Sequence, residues 1–139
     1  MGAPELRFEP MNLNAHTAEV IRFCEDADVC SFGDASRFNA AEYFEWLKAE
    51  LEIDPRFGIH VWLGDKLVGQ MELGQFKSEP TAGIVHLYYL VPEARGKGFS
   101  SQLDAYAMSY LKKKGFSKAY LSVSPANLRA VRYYTRMGW

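Results

Sequence analysis

Hydrophobic and polar positions change period several times along this chain, and each change marks an element. Leu6-Arg7-Phe8-Glu9 alternates apolar and polar and reads as a first strand, ended by Pro10. Asn14 is placed to cap a helix with apolar positions at Val20, Ile21, Phe23 and Cys24, and Asp26 to Asp34, with Gly33, reads as loop. Asn39 followed by Glu42 has the form of a capping box. The helix it opens carries Tyr43, Phe44, Leu47 and Leu51 on one face, with Trp46 off that stripe and free to face a cleft, until Asp54-Pro55 breaks it. Phe57 to Leu63 and Leu67 to Leu73 are strands joined at Gly64-Asp65-Lys66, a hairpin signal. Gly69 inside the second of them marks a bulge or a close backbone approach.

A looser turn with Pro80 and Gly83 leads to a strand over Ile84–Val91. Helical spacing returns over Ser101–Lys114, where Leu103, Ala107, Tyr110 and Leu111 recur on one side, and Gly115 stops it. Lys118 to Ser124 alternates again, and Pro125 and Asn127 start a last helix that Gly138 ends. The order is β-α-α-β-β-β-α-β-α. It predicts an α/β fold on a mixed sheet, with a hairpin meander for the antiparallel strands and the unit Ile84–Ser124 for a parallel pair. No repeat or linker interrupts residues 1–139, which read as one domain.

Composition narrows the function classes. A chain of 139 residues that is 48% hydrophobic can bury a core, and a net charge of −1 offers no general basic footprint for nucleic acid. No apolar run reaches a membrane span, and Glu5 and Arg7 precede any signal-like core, so the expected location is the cytoplasm. Cys24 and Cys30 lack metal-ligand spacing and read as reduced, packed thiols; with His16, His60 and His86 scattered, no metal site is expected. The acidic second helix (Glu42, Glu45, Glu50, Glu52) reads either as a solvated face or as an attractant for a cationic amine.

The chemistry concentrates between Val85 and Gln102. An apolar strand ends at Pro92, and Arg95-Gly96-Lys97-Gly98-Phe99-Ser100 leads into a helix. Small residues there expose backbone N–H groups where a helix start has none of its own partners, which favours a phosphate; Arg95 and Lys97 add charge. The dinucleotide fingerprint fails for want of a glycine at Ser101, and the Walker pattern fails because Gly98 follows Lys97. A tight turn with two solvated basic residues is the plainer alternative.

The order R-x-x-G-x-small after a strand ending in Val91-Pro92 resembles the acetyl-CoA signature of the GNAT N-acetyltransferase superfamily. Downstream, Asn127-Leu128-Arg129-Ala130 and Tyr133-Tyr134-Thr135-Arg136-Met137-Gly138-Trp139 resemble that family's N-x-x-A and Y-x-x-x-G-aromatic segment. The resemblance implies a GNAT-like fold and transfer of an acetyl group from acetyl-CoA to a primary amine of a small molecule or peptide by direct attack in a ternary complex. It implies pyrophosphate on the backbone of Gly96, Lys97, Gly98, Phe99 and Ser100 with Arg95 at the rim, and the pantetheine arm along Leu90 and Val91. It implies Tyr134 as the acid for the leaving thiolate, beside the alternative of a packed helix tyrosine, and Asn127 as a cap that also meets the coenzyme.

For the base, His86 is one candidate, four residues before Leu90 and therefore expected on the same strand face. Glu72 is the second, and an amine that loses its proton to water needs neither. Family members usually continue with two more strands, whereas this sequence stops at Trp139. A C-terminally truncated domain, a naturally short form and completion by a second subunit in a homodimer all stay open. A non-catalytic acyl-CoA-binding sensor or scaffold module is the alternative function.

Overall fold

Strand pairing follows the order of the chain. The computed structural model describes residues 4–121 together with Arg132 and Thr135. Its elements are β1 (Arg7–Pro10), α1 (Thr17–Phe32), α2 (Ala40–Ile53), β2 (Gly58–Leu63), β3 (Lys66–Gln75), β4 (Ala82–Leu90), α3 (Phe99–Lys113) and β5 (Lys118–Leu121), with a 3-10 turn at Pro92–Ala94. The described strands form one sheet in the order β1-β2-β3-β4-β5. The first three pairings are antiparallel, and only β4 and β5, joined through α3, run parallel. This is the mixed α/β architecture that the hydrophobic pattern predicts. The remainder of the last predicted strand and the terminal helix lie outside the described residues, of which Arg132 and Thr135 are helical.

Period-two alternation divides the sheet's side chains between two layers. Ile59, Val61, Met71, Leu73 and Val85 pack with Leu103, Ala107 and Leu111 beneath α3. On the other face α1 and α2 bring Val20 and Leu47 over Met11 and Phe57. That second face also buries three polar side chains in a row across β2 and β3: His60, Gln70 and Glu72, at 1%, 0% and 3% exposure. Buried polar groups must find partners: Gln70 and Glu72 find theirs on α1 and α2, whereas Nδ1 of His60 is buried without a hydrogen-bond partner among the described residues.

Several local expectations hold for the stated reasons. Asn39 Oδ1 accepts from the N–H of Glu42 at 3.0 Å and caps α2. Leu63 pairs with Lys66 around Gly64-Asp65, with Gly64 at φ 62°. At Gly69 both readings are realised. The β2–β3 register shifts there, between Val61 and Trp62, and a Cβ would lie 2.5 Å from the carbonyl oxygen of Tyr89.

Others are corrected. Asn14 does not cap α1: His16 precedes its first residue, and Asn12 Oδ1 holds the turn by accepting from the N–H of Ala15 at 3.1 Å. Asp26 to Phe32 is helix rather than loop, and α1 stops only where Gly33 turns left-handed at φ 85°. Asp26 is held there by contacts from β4 and the following loop, which no local pattern reveals. Gly83 belongs to β4, opposite Gln75, where a Cβ would press on Leu111 and Phe116. Cys30 is exposed rather than packed, and both cysteines are free thiols.

Candidate active site

The loop before α3 is shaped by two glycines. Gly96 and Gly98 take φ values of 72° and 85°, a region that side-chain-bearing residues avoid. Gly98 is also the residue that precedes α3, so the helix begins at Phe99, two residues earlier than the spacing predicts. No side chain caps it, and its first turn carries no acid. Ser101 Oγ bonds backward to the carbonyl of Gly98 at 3.0 Å. Phe99, 3% exposed, anchors the turn in the core, while Ser100 is half-buried and Lys97 exposed. Backbone donors and the positive end of α3 therefore open to the outside with a lysine beside them, which suits a phosphate.

Arg95, the residue the resemblance implies at the rim, makes several contacts within the fold. Its Nε donates to the carbonyl of Leu90 at 2.8 Å and its Nη2 lies 3.1 Å from Asp26 Oδ2. The guanidinium also sits 5.4 Å from the centre of the Tyr89 ring, and the Tyr89 hydroxyl donates to Asp26. Burial, then the Asp26 contact, push the Tyr89 phenol up, so it stays a donor. The structure thus commits this arginine to joining β4, the loop and α1.

Val91 donates its N–H to the carbonyl of Val68 on β3 at 2.8 Å. Alternation along the strand turns the N–H of Leu90 the other way, toward the β5 side. Parallel pairing among the described residues runs from Ala82 with Lys118 to Val85 with Leu121. Directly beyond, the β3–β4 register shifts: Leu73 pairs with Val85 and Glu72 with Leu87, leaving His86 as the extra residue of a bulge.

The bulge overturns one expectation. Leu90 packs in the cluster beneath α3, whereas the His86 ring lies on the α2 side, 5.7 Å from Trp46 and 5.6 Å from Phe57. The extra residue breaks the alternation, so His86 and Leu90 do not share a face. His86 is exposed at its edge, but loss of water against these rings lowers its pKa; Glu50 pulls it up and Lys77 down. Its imidazole is neutral at pH 7. Glu72 faces the same layer. Burial raises its pKa to about 7, opposed by a hydrogen bond that it accepts from the Tyr43 hydroxyl. Both candidate bases therefore gather at the bulge, under α2.

A cavity of about 410 Å³ opens between α1 and the end of β4, floored by Phe23, Tyr89 and Val91 and edged by Arg22, Glu25, Asp26 and Glu93. The contacts of Tyr43, Asp26 and Tyr89 were not legible in the sequence, because each is made to a partner distant in sequence. Tyr134 and Asn127 lie outside the described residues. Among the described residues no group of three or more His, Cys, Asp or Glu side chains could hold a metal ion, and no helix is long and apolar enough to cross a membrane.

The family model for the acetyltransferase (GNAT) family matches residues 20–139. No curated protein matches the chain. An N-acetyltransferase from Staphylococcus aureus Mu50 is similar in structure, with TM-score 0.76 and 16% identity over 96% of this chain and 82% of that one. So is the paia N-acetyltransferase from Thermoplasma acidophilum in complex with coenzyme A, with TM-score 0.69 and 17% identity over 97% and 89%. A transcriptional regulator from Bacillus halodurans C-125 shares the fold at TM-score 0.73 and 17% identity over 97% and 93%. At these identities the likeness is one of fold.

Proposed function

The chain belongs to the GNAT acetyltransferase family, and on that premise we propose that it moves an acetyl group from acetyl-CoA to a primary amine of a small molecule or peptide. The observation that carries this reading is the pairing of an uncapped helix start at Gly98 with the outward-turned N–H of Leu90 on the same strand-loop-helix unit. The first suits a pyrophosphate. The second suits a thioester carbonyl, whose charge grows as it is attacked.

Acetyl-CoA supplies an activated acyl group. The chain's own residues bind and orient it: Gly96 to Ser100 hold the pyrophosphate through backbone N–H groups with Lys97 beside them, and Leu90 and Val91 line the pantetheine arm. The cavity between α1 and the end of β4 is lined by Glu25 and Glu93 but also by Arg22, and its Asp26 is paired with Arg95, so its charge does not select the acceptor. As the amine attacks, the N–C bond forms, the C–S bond breaks, the amine proton passes to a base at the β4 bulge, and Tyr134 protonates the thiolate.

The second reading, a non-catalytic acyl-CoA-binding module, is favoured by one observation: the same fold serves a protein described as a transcriptional regulator. Release of free coenzyme A thiol, measured with acetyl-CoA and a panel of primary amines and peptides, separates the two. Amine-dependent release that falls in Tyr134→Phe while coenzyme binding persists supports the enzyme. Coenzyme binding with no release from any amine supports the module.

A further inference from the structure

His60 on β2 is 1% exposed, and its Nδ1 has no hydrogen-bond partner among the described residues. The tautomer of its ring follows from Gln70. Gln70 Nε2 donates to the carbonyl of Val20 and to the Tyr43 oxygen, both at 3.2 Å, so both amide hydrogens are used. Gln70 Oε1, 2.8 Å from His60 Nε2, can only accept, and the ring proton therefore sits on Nε2. Burial holds the His60 pKa below its ordinary value, with the Gln70 bond opposing, and the ring is neutral. Nδ1 carries a bare lone pair, and a buried acceptor left unmatched costs stability.

That lone pair has a direction. The two nitrogens of an imidazole face nearly opposite ways. Nε2 faces β3, where Gln70 pairs with His60, so Nδ1 faces the β1 side and the start of α1. A cavity of about 390 Å³ lies there, lined by Glu9, Pro10, Asn12, His16 and Trp62 together with His60. Glu9 is paired with His60 across the ladder, so the two side chains stand on one face. The His16 ring meets those of His60 and Trp62 edge to face, at 5.6 and 5.4 Å. Its Nδ1 lies 3.1 Å from Glu19 Oε2; a carboxylate only accepts, so Nδ1 holds the proton and a neutral ring leaves Nε2 as an acceptor.

The lining is thus rich in acceptors: the Glu9 carboxylate, His60 Nδ1 and His16 Nε2. Asn12 Oδ1 is taken by the N–H of Ala15. Arg7, 3.3 Å from Glu9 and 5.6 Å from the centre of the Trp62 ring, offsets the charge of Glu9. Selection is therefore by hydrogen-bond direction and not by net charge. Among the described residues no three His, Cys, Asp or Glu side chains are grouped to hold a metal ion. A primary ammonium has three N–H donors and no acceptor, which matches this lining. We propose that the cavity binds a small primary ammonium compound, with His60 Nδ1 as its most deeply buried acceptor. β3 separates β2 from β4, roughly 10 Å across the sheet, so this site is distinct from the loop at Gly96 and Gly98 and does not depend on acetyl transfer.

The test titrates methylammonium chloride into the nitrogen-15-labelled chain at about pH 8, where the His60 ring is neutral, without acetyl-CoA. The readout is the pair of ring nitrogens of His60 by NMR. The chain has three histidines, so spectra of His16→Gln and His86→Gln assign His60 by elimination without altering it. Tetramethylammonium chloride, with the same charge and no N–H, is the comparison at equal ionic strength. The free chain is expected to show a protonated Nε2 and a bare Nδ1. Methylammonium should move the Nδ1 signal saturably, with a midpoint on the order of millimolar, and tetramethylammonium should leave it in place. Glu9→Gln, on the exposed edge strand, should weaken the midpoint roughly 3- to 10-fold. An Nδ1 signal that methylammonium does not move means a cavity that holds water only, and overturns the proposal. So do equal shifts with tetramethylammonium, a protonated Nδ1 in the free chain, or an unchanged midpoint in Glu9→Gln.

Discussion

Arg95 Nε donates to the carbonyl of Leu90 at 2.8 Å, folding the first basic residue of the glycine loop back onto the strand before it. The second arm of the guanidinium reaches Asp26 on α1 at 3.1 Å. One side chain thus links β4, the loop and the opposite layer.

Arg95 and Lys97 should therefore separate in a thermal melt. Arg95→Ala removes a charge-assisted bond and a bond to a carbonyl, a loss of about 1–2 kcal/mol after screening of this half-exposed pair, or roughly 5 °C in Tm. Lys97→Ala is expected to leave Tm within about 1 °C and to weaken acetyl-CoA binding. Equal melting temperatures for the two variants would remove the clamp from the account.

Gly69 is the position where β3 and β4 leave no room. Its Cβ would stand 2.5 Å from the carbonyl oxygen of Tyr89, a backbone atom that cannot rotate away. Gly69→Ala is expected to cost roughly 2 kcal/mol or more, read as a lower urea midpoint, and to displace the Leu90 edge. An unchanged midpoint would show that the two strands separate at little cost.

Glu72 sets a pH dependence of stability. Its carboxyl titrates near 7 in the fold against 4.5 as its ordinary value. Between those values the folded protein holds a proton that the unfolded chain has lost. The group's contribution to stability is therefore complete below about 4.5 and disappears as pH rises through about 7. Glu72→Gln does not titrate, so its stability relative to wild type should rise between pH 4.5 and pH 8, by up to about 3 kcal/mol. Urea unfolding at both pH values measures this, and a constant difference would contradict the burial argument.

The fold was legible where a local rule and the tertiary structure agree. The Asn39 cap, the Gly64-Asp65 hairpin and the glycine loop at Gly96 and Gly98 are each specified by residues within a few positions of one another. The second half of α1 was not legible, because Asp26 and its neighbours carry no apolar stripe and are held by Tyr89 and Arg95, more than 60 residues away. The site was legible as a loop and as a set of candidate bases. Its geometry was not: an extra residue at His86 reverses the facing of everything after it, and the strand's alternation gives no sign of that insertion. Tyr43 looked like one more apolar position on α2, since its role depends on Gln70 and Glu72 across the layer.

Calorimetric titration of acetyl-CoA into the 139-residue chain, beside the double variant Lys97→Glu/Ser100→Asp, tests the central claim most directly. Two acids placed at the start of α3 oppose an anion there without touching the Arg95 clamp. Wild type is expected to bind in the micromolar range, and the variant, melting near the wild-type temperature, to show no binding. A folded variant that binds as tightly as wild type, or a folded wild type that does not bind, would contradict the assignment of the pyrophosphate to this loop.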